Sequence, residues 1–312
     1  MSFVHLHGHS TFSFLEAIGK PNKILARAKE LEMPAIAITD YNWMYSAVKF
    51  YQTAKEEWIK PIIWVELGFV LDINSVNLNT IWNIILIAES KTWYENLMKI
   101  VWFANREWIQ NKPKIDLNQI NINKEWIIII CGWVQSRIYK MMHAWEKEDK
   151  ISEILTMLSD IVWKEHLFLE ITAQDESLLP EIKKINNLIL SLSKSNWLEC
   201  TIANNYHYIT KWEKEAREVA LAIKDGKKIY DESRRKPKWD FHIMSRSEIE
   251  ETMKKNWYSD DIVQTSIENN LKIADRIVTE IDLNQALFPN YESPEDIKEL
   301  YEKYKDQLVI EW

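Results

Sequence analysis

The sequence predicts an α/β fold, a barrel of parallel βα units followed by a mainly helical segment. Three observations predict it. Seven short apolar runs alternate with amphipathic helical stretches through residue 205. Polar residues fall at the ends of those runs (His7 and His9, Asp40, Glu66, Asn205, His207), where barrels of parallel strands build their sites. The chain also opens on three histidines at two-residue spacing, Phe3-Val4-His5-Leu6-His7-Gly8-His9-Ser10, a period that turns all three rings to one face of a strand.

The elements follow in order. The histidine run is the first strand. Ile24, Leu25, Ala28 and Leu31 repeat at helical spacing after Lys20-Pro21-Asn22, which predicts a helix over 21–31. Ala35-Ile36-Ala37-Ile38-Thr39-Asp40 is a buried strand ending on a carboxylate, followed by a helix over 45–56. Strands are expected at 59–70 and 83–88, a helix at 94–106, a strand at 126–132, and helices at 135–144 and 148–162. Leu167 to Ile171 and Leu198 to Asn205 are the last two strands, with a helix over 177–194 between them. Beyond 210 the apolar runs cease: helices over 213–224, 247–256 and 261–278 flank a charged connector from Lys227 to Asp240. The expected domains are therefore a barrel over 1–210 and a helical connector over 211–312.

Composition excludes several classes. No apolar run of the 312-residue chain approaches a membrane span, and residues 1–15 lack the basic start and apolar middle of a signal peptide. Cys131 and Cys200 make no disulfide framework, so a cytoplasmic protein without membrane contact is expected. A net charge of −8 opposes a surface that grips nucleic acid all round. Local contacts would fall to Arg234-Arg235-Lys236-Pro237-Lys238 and Lys112-Pro113-Lys114, although short basic runs are usually solvated loops.

Sixteen tryptophans stand against five glycines, where ordinary usage predicts roughly 22 glycines at this length. The tryptophans sit where glycine belongs. Trp58, Trp108, Trp197 and Trp257 each follow a polar helix end, a place for a left-handed residue, and Trp43 follows Asn42 as in an Asn-Gly turn. The pattern predicts a gene that uses UGA for glycine, rendered here as tryptophan.

His7, His9, Glu16, Asp40, Glu66 and His207 form a set of nitrogen and oxygen donors suited to zinc, manganese or iron. Such ions activate water and neutralise phosphate oxygens, which makes phosphoester hydrolysis the natural chemistry.

These residues carry a resemblance. The histidine strand, Ala37-Ile38-Thr39-Asp40, Ala47-Val48-Lys49-Phe50-Tyr51 and Ile59-Lys60-Pro61-Ile62-Ile63-Trp64-Val65-Glu66 resemble the PHP (polymerase and histidinol phosphatase) domain at the amino end of bacterial DNA polymerase III alpha subunits. Reading Trp58 and Trp64 as glycine sharpens the likeness. It continues through Trp93-Tyr94-Glu95-Asn96-Leu97, Asn204-Asn205-Tyr206-His207-Tyr208, Phe241-His242-Ile243-Met244-Ser245, Ile273-Ala274-Asp275-Arg276 and Phe288-Pro289, over essentially the whole chain.

The resemblance implies a distorted seven-stranded βα (TIM-like) barrel of PHP type, which in active members holds divalent metals and acts as a 3′-5′ exonuclease. Carried over residue by residue, it implies metal ligands at His7, His9, Glu16 (where the family usually has Asp), Glu66 and His207. Tyr41, Gln174, Asn205 and Trp133 stand at positions where ligands are expected and are poor replacements for them. Asp40 is the remaining candidate for a catalytic role. The implied site is degenerate, holds one divalent metal or none, and lacks useful nuclease activity.

The implied partners are the rest of the alpha chain, a proofreading exonuclease subunit, and DNA through the whole polymerase. The carboxylates that bind magnesium for nucleotide addition lie downstream in the family, so this chain alone is not expected to act as a nucleotidyltransferase. Its ending, Leu308-Val309-Ile310-Glu311-Trp312, closes no domain and predicts a truncated product. Two other readings stay open: a stand-alone metal-dependent PHP phosphoesterase, and a non-catalytic interaction module.

Overall fold

The structure, a computed structural model, describes residues 2–74, 81–106, 113–123, 127–133, 148–178, 180–278, 280–283 and 295–305. Among them one curled sheet is built from β1 (Ala35–Ile38), β2 (Lys60–Phe69), β3 (Trp82–Ala88), β4 (Lys114–Ile115), β5 (Ile127–Cys131), β6 (Leu167–Thr172) and β7 (Glu199–Ala203). The order is β1-β2-β3-β5-β6-β7, with β4 beside β2. The α/β class and the largely parallel sheet agree with the sequence. One strand differs: β3 runs antiparallel to both β2 and β5. Parallel neighbours need a crossover of a dozen residues or more, usually helical, and no helix was legible between 70 and 83.

The histidine run also differs from expectation, because it is an extended segment rather than a regular strand. Ala37 N–H donates to His5 O at 2.9 Å and Thr39 N–H to Gly8 O at 2.7 Å, while His9 N–H donates to Tyr206 O at 2.7 Å. The segment therefore spans the gap between β1 and the chain leaving β7. Gly8 is required there. A Cβ at that position would sit 2.0 Å from the Tyr206 ring, whose hydroxyl donates to Ala37 O.

Among the described residues the helices of the first unit are α1 (Pro21–Glu30), α2 (Ala47–Glu56), α3 (Lys91–Arg106), α4 (Leu117–Ile122), α5 (Glu148–Val162), α6 (Glu181–Asn196), α7 (Lys214–Lys224), α8 (Arg246–Lys255) and α9 (Asp260–Arg276). Some starts follow ordinary capping chemistry: Pro21 opens α1, and Ser245 with Glu248 forms a capping box on α8. Each presents an apolar stripe to the sheet or to a neighbouring helix, as Ile24, Leu25 and Ala28 do on α1. The helix expected at 135–144 lies outside the described residues.

The chain divides into two compact units, residues 1–281 and 282–312, so α7 to α9 share one body with the barrel. Asn270 on α9 fixes this arrangement. Its Oδ1 accepts from Ile202 N–H at 3.1 Å, and its Nδ2 donates to Ile202 O at 2.7 Å and Val4 O at 2.9 Å. In the second unit the described residues are 282–283 and 295–305, the latter containing the helix α10 (Glu295–Tyr304). Among the described residues no helix is long and apolar enough to cross a membrane.

Backbone conformation bears on the tryptophans. Of the eight non-glycine residues with positive φ among the described residues, four are Trp58, Trp163, Trp197 and Trp257. Trp163 had not been singled out in the sequence. At the Asn42-Trp43 turn it is Asn42, at φ 63°, that takes the left-handed conformation. Trp108 lies outside the described residues.

Candidate metal centre

Three buried side chains converge inside the barrel. Ligand atoms of His7, His9 and Glu66 all lie within 4.8 Å of one another. The two histidines arrive on the extended amino-terminal segment and Glu66 on β2, where each points inward from backbone held by β1 and β7. His7 Nε2 is 3.0 Å from Glu66 Oε2, and His9 Nε2 is 3.2 Å from the same oxygen. Asn83 at the start of β3 donates to Glu66 Oε1 at 2.5 Å, fixing the carboxylate plane.

The outer nitrogens are held too. His7 Nδ1 lies 2.8 Å from Glu170 Oε1 on β6. His9 Nδ1 lies 3.2 Å from Ser13 Oγ. Because that hydroxyl donates to Asp40 Oδ1 at 2.8 Å, it can only accept from His9, which leaves the Nε2 lone pair directed inward. Imidazoles that bind metals are oriented in this way, by a carboxylate or hydroxyl on the far nitrogen.

The site's charge state reflects close packing. Burial opposes protonation of His7, yet Glu170 and Glu66 outweigh it and raise its pKa to about 9. Burial also opposes ionisation of Glu66, but the hydrogen bond from His7 and the close approach of the two imidazoles outweigh it and lower its pKa to about 2. Burial lowers His9 despite Glu66. A proton on His7 thus does part of a cation's work. His9 Nε2 and Glu170 Oε2 are buried without a hydrogen-bond partner. Two orphaned polar atoms beside a paired imidazole and carboxylate fit a divalent cation, and binding one would displace the proton.

Several expected residues lie elsewhere. Glu16 is outside the converging group: its carboxylate is drawn to Lys224 at 2.7 Å and Arg235 at 3.2 Å, cations of the downstream segment that the sequence did not connect with it. Asp40 is engaged by hydroxyls and a backbone amide. Ser10 N–H and Ser13 Oγ donate to Oδ1, each at 2.8 Å, and Ser10 Oγ and Ser46 Oγ donate to Oδ2, each at 2.7 Å. It braces the loop that carries His9. His207 adjoins the group, its ring centroid 4.6 Å from that of His9, with Nδ1 donating to Asn205 O at 2.7 Å. Burial, then the neighbouring Arg217 guanidinium, holds its pKa well below the usual value.

Of the four positions of doubtful ligand character, Tyr41 and Gln174 have other polar partners, whereas Asn205 Oδ1 and the Trp133 indole nitrogen are buried without one. Tyr41 stacks on His9 at 4.0 Å between centroids and places its hydroxyl 3.5 Å from His207 Nε2. Gln174 Nε2 donates to Asn204 O at 3.1 Å and Asp240 O at 2.9 Å, pinning the connector to the barrel. Asn205 takes a left-handed turn at φ 53°. Trp133 sets its ring edge-on to His7 at 4.8 Å.

His5 is buried but belongs to another cluster, with Nε2 donating to Met244 O at 2.8 Å. Sequence reading missed Glu170, Asn83 and Arg217. A lone carboxylate in the apolar strand Leu167-Phe168-Leu169-Glu170-Ile171 was the one visible signal. Two cations of the basic run near 235 are paired, Arg234 with Glu218 at 2.7 Å and Arg235 with Asp225 at 2.6 Å.

A family profile described as "PHP domain" matches residues 5–174. DNA polymerase III subunit alpha of Borreliella burgdorferi is 27% identical over 99% of this chain and 26% of its own length. The subunit of the same name from Saccharopolyspora erythraea is 28% identical over 88% of this chain and 24% of its own length. The chain spans about a quarter of these relatives. Among solved structures, a putative metal-dependent phosphoesterase from Bifidobacterium adolescentis aligns with a TM-score of 0.44 at 12% identity, covering 66% of this chain and 87% of its own.

Proposed function

The chain belongs to the PHP domain family, and from that premise we propose that it is the amino-terminal PHP region of a replicative DNA polymerase III alpha subunit. In this reading the barrel is a scaffold that holds at most one divalent ion, not a working 3′-5′ exonuclease. The observation that carries it is the small size of the converging group. Only His7, His9 and Glu66 bring ligand atoms together among the described residues, while Glu16 is tied up by Lys224 and Arg235.

A divalent ion bound there supplies a Lewis acid for a phosphate oxygen or for water. His7, His9 and Glu66 would hold it. Glu170 and Ser13 orient the two imidazoles, and Asn83 orients the carboxylate. Asp40, the candidate base, is committed to four accepted hydrogen bonds. The scaffold role extends to the rest of the alpha chain and to docking of a separate proofreading exonuclease subunit, and DNA is met through the whole polymerase.

The test is a labelled single strand and a chromogenic phosphate ester, each incubated with the chain and manganese or zinc. The scaffold reading expects both to stay intact. Hydrolysis of the small ester alone, abolished by His9→Ala, would move the assignment to a free-standing phosphoesterase, and shortening of the strand would make the domain a nuclease.

A further inference from the structure

Arg217 on α7 was singled out by no feature of the sequence, yet it is one of the most deeply placed cations in the molecule, 5% exposed. Its Nε donates to the backbone oxygen of Glu16 at 2.9 Å. Its guanidinium carbon lies 4.3 Å over the Phe241 ring. That ring meets His207 at 5.2 Å, and His207 meets His9 at 4.6 Å. The guanidinium therefore stands behind the wall of the His7–His9–Glu66 centre.

Its charge is only partly compensated, because the Glu16 carboxylate acts on it from beyond ion-pair distance. Among the described residues no carboxylate lies within ion-pair distance of Arg217, since Glu16 is committed to Lys224 and Arg235. Its Nη1 is buried with no hydrogen-bond partner. A buried, unpaired cation is costly unless charges of opposite sign nearby offset it. Three buried carboxylates lie around the centre: Glu66, Glu170 and Asp40. One divalent ion together with one guanidinium balances them, whereas a second divalent ion would leave the cluster strongly positive.

We propose that Arg217 is a built-in cation that limits this centre to a single divalent ion. The inference rests on reading His7, His9 and Glu66 as a cation site. It assigns to α7, an element outside the barrel strands, control over how many ions the barrel takes.

The experiment is a manganese titration of the intact chain, read by calorimetry and by metal analysis after dialysis, on the unmodified protein and on Arg217→Lys, Arg217→Gln and Arg217→Met. The unmodified chain and the lysine variant are expected to bind one ion. The neutral variants are expected to bind the first ion at least tenfold more tightly or to take a second. Wild-type affinity and stoichiometry in the neutral variants overturns the proposal, and so do two ions in the unmodified chain, a result that needs no variant.

An unmodified chain that binds no manganese contradicts the cation-site reading. The neutral variants still decide the role of Arg217 in that case: gain of an ion on its removal supports it, and no gain refutes it. Glutamine keeps a donor for the Glu16 oxygen and methionine keeps the stem against Phe241, so a folding failure in one leaves the other. Circular dichroism identifies which variants are folded.

Discussion

Trp197 closes α6 at φ 56° with its side chain 84% exposed, and Trp257 follows α8 at φ 67°, 90% exposed. Neither indole has packing to lose, and each forces a side chain into the left-handed region, at a cost of about 1 kcal/mol or more. Trp197→Gly and Trp257→Gly are each expected to stabilise the chain by about 1 kcal/mol in urea unfolding. Loss of stability in both would contradict the glycine reading. The buried tryptophans tell the same story from the other side, because the indole N–H groups of Trp64, Trp133 and Trp239 are buried without an acceptor, whereas buried indoles usually find one. A tryptic peptide from the native protein carrying the mass of glycine at 58 and 64 is the expected result. His5 gives a pH prediction. Burial lowers its pKa to about 4 from the usual 6.5, so its contribution to stability is complete above pH 6.5 and lost as pH falls toward 4, about 3 kcal/mol at most. His5→Gln is expected to flatten the stability-versus-pH curve over that window. An unchanged slope would show that another group governs it.

At the scale of elements, strand and helix periodicity located nearly every regular segment described in the barrel, because each carries a continuous apolar run or stripe. Direction was not legible in the same way. The reversal of β3 has one counterpart in the sequence, the lack of a helical period between residues 70 and 83, which an alternating βα template passes over. The packing of α9 was equally hidden. Asn269 and Asn270 read as polar residues in an amphipathic helix, yet Asn269 Nδ2 donates to Cys200 O at 2.9 Å and Asn270 joins β7 to the amino-terminal segment. Asn270→Ala would strand Ile202 N–H, Ile202 O and Val4 O, and is expected to cost about 3 kcal/mol with a matching fall in the urea midpoint. A change below 0.5 kcal/mol would mean that the amino-terminal segment is held by β1 and Tyr206 alone.

For the molecule as a whole, long-range convergence separates what the sequence carried from what it did not. His7, His9 and Glu66 could be nominated from motif spacing. Glu170 comes in across 163 residues from His7 and Arg217 across 201 residues from Glu16, with no local pattern to mark either. Glu16 failed as a converging ligand for the same reason, since its cations lie more than 200 residues downstream. These long-range partners turn a ligand-rich motif into a small centre enclosed by its own salt bridges, the feature on which the proposed scaffold role is argued. Bound metal per chain, measured on purified protein after titration with manganese or zinc and compared with His9→Ala, tests that claim most directly. No more than one weakly held ion is expected, lost in the variant, with an intact labelled single strand in the same tube. Two or more ions, with the strand shortened from its 3′ end, would contradict it.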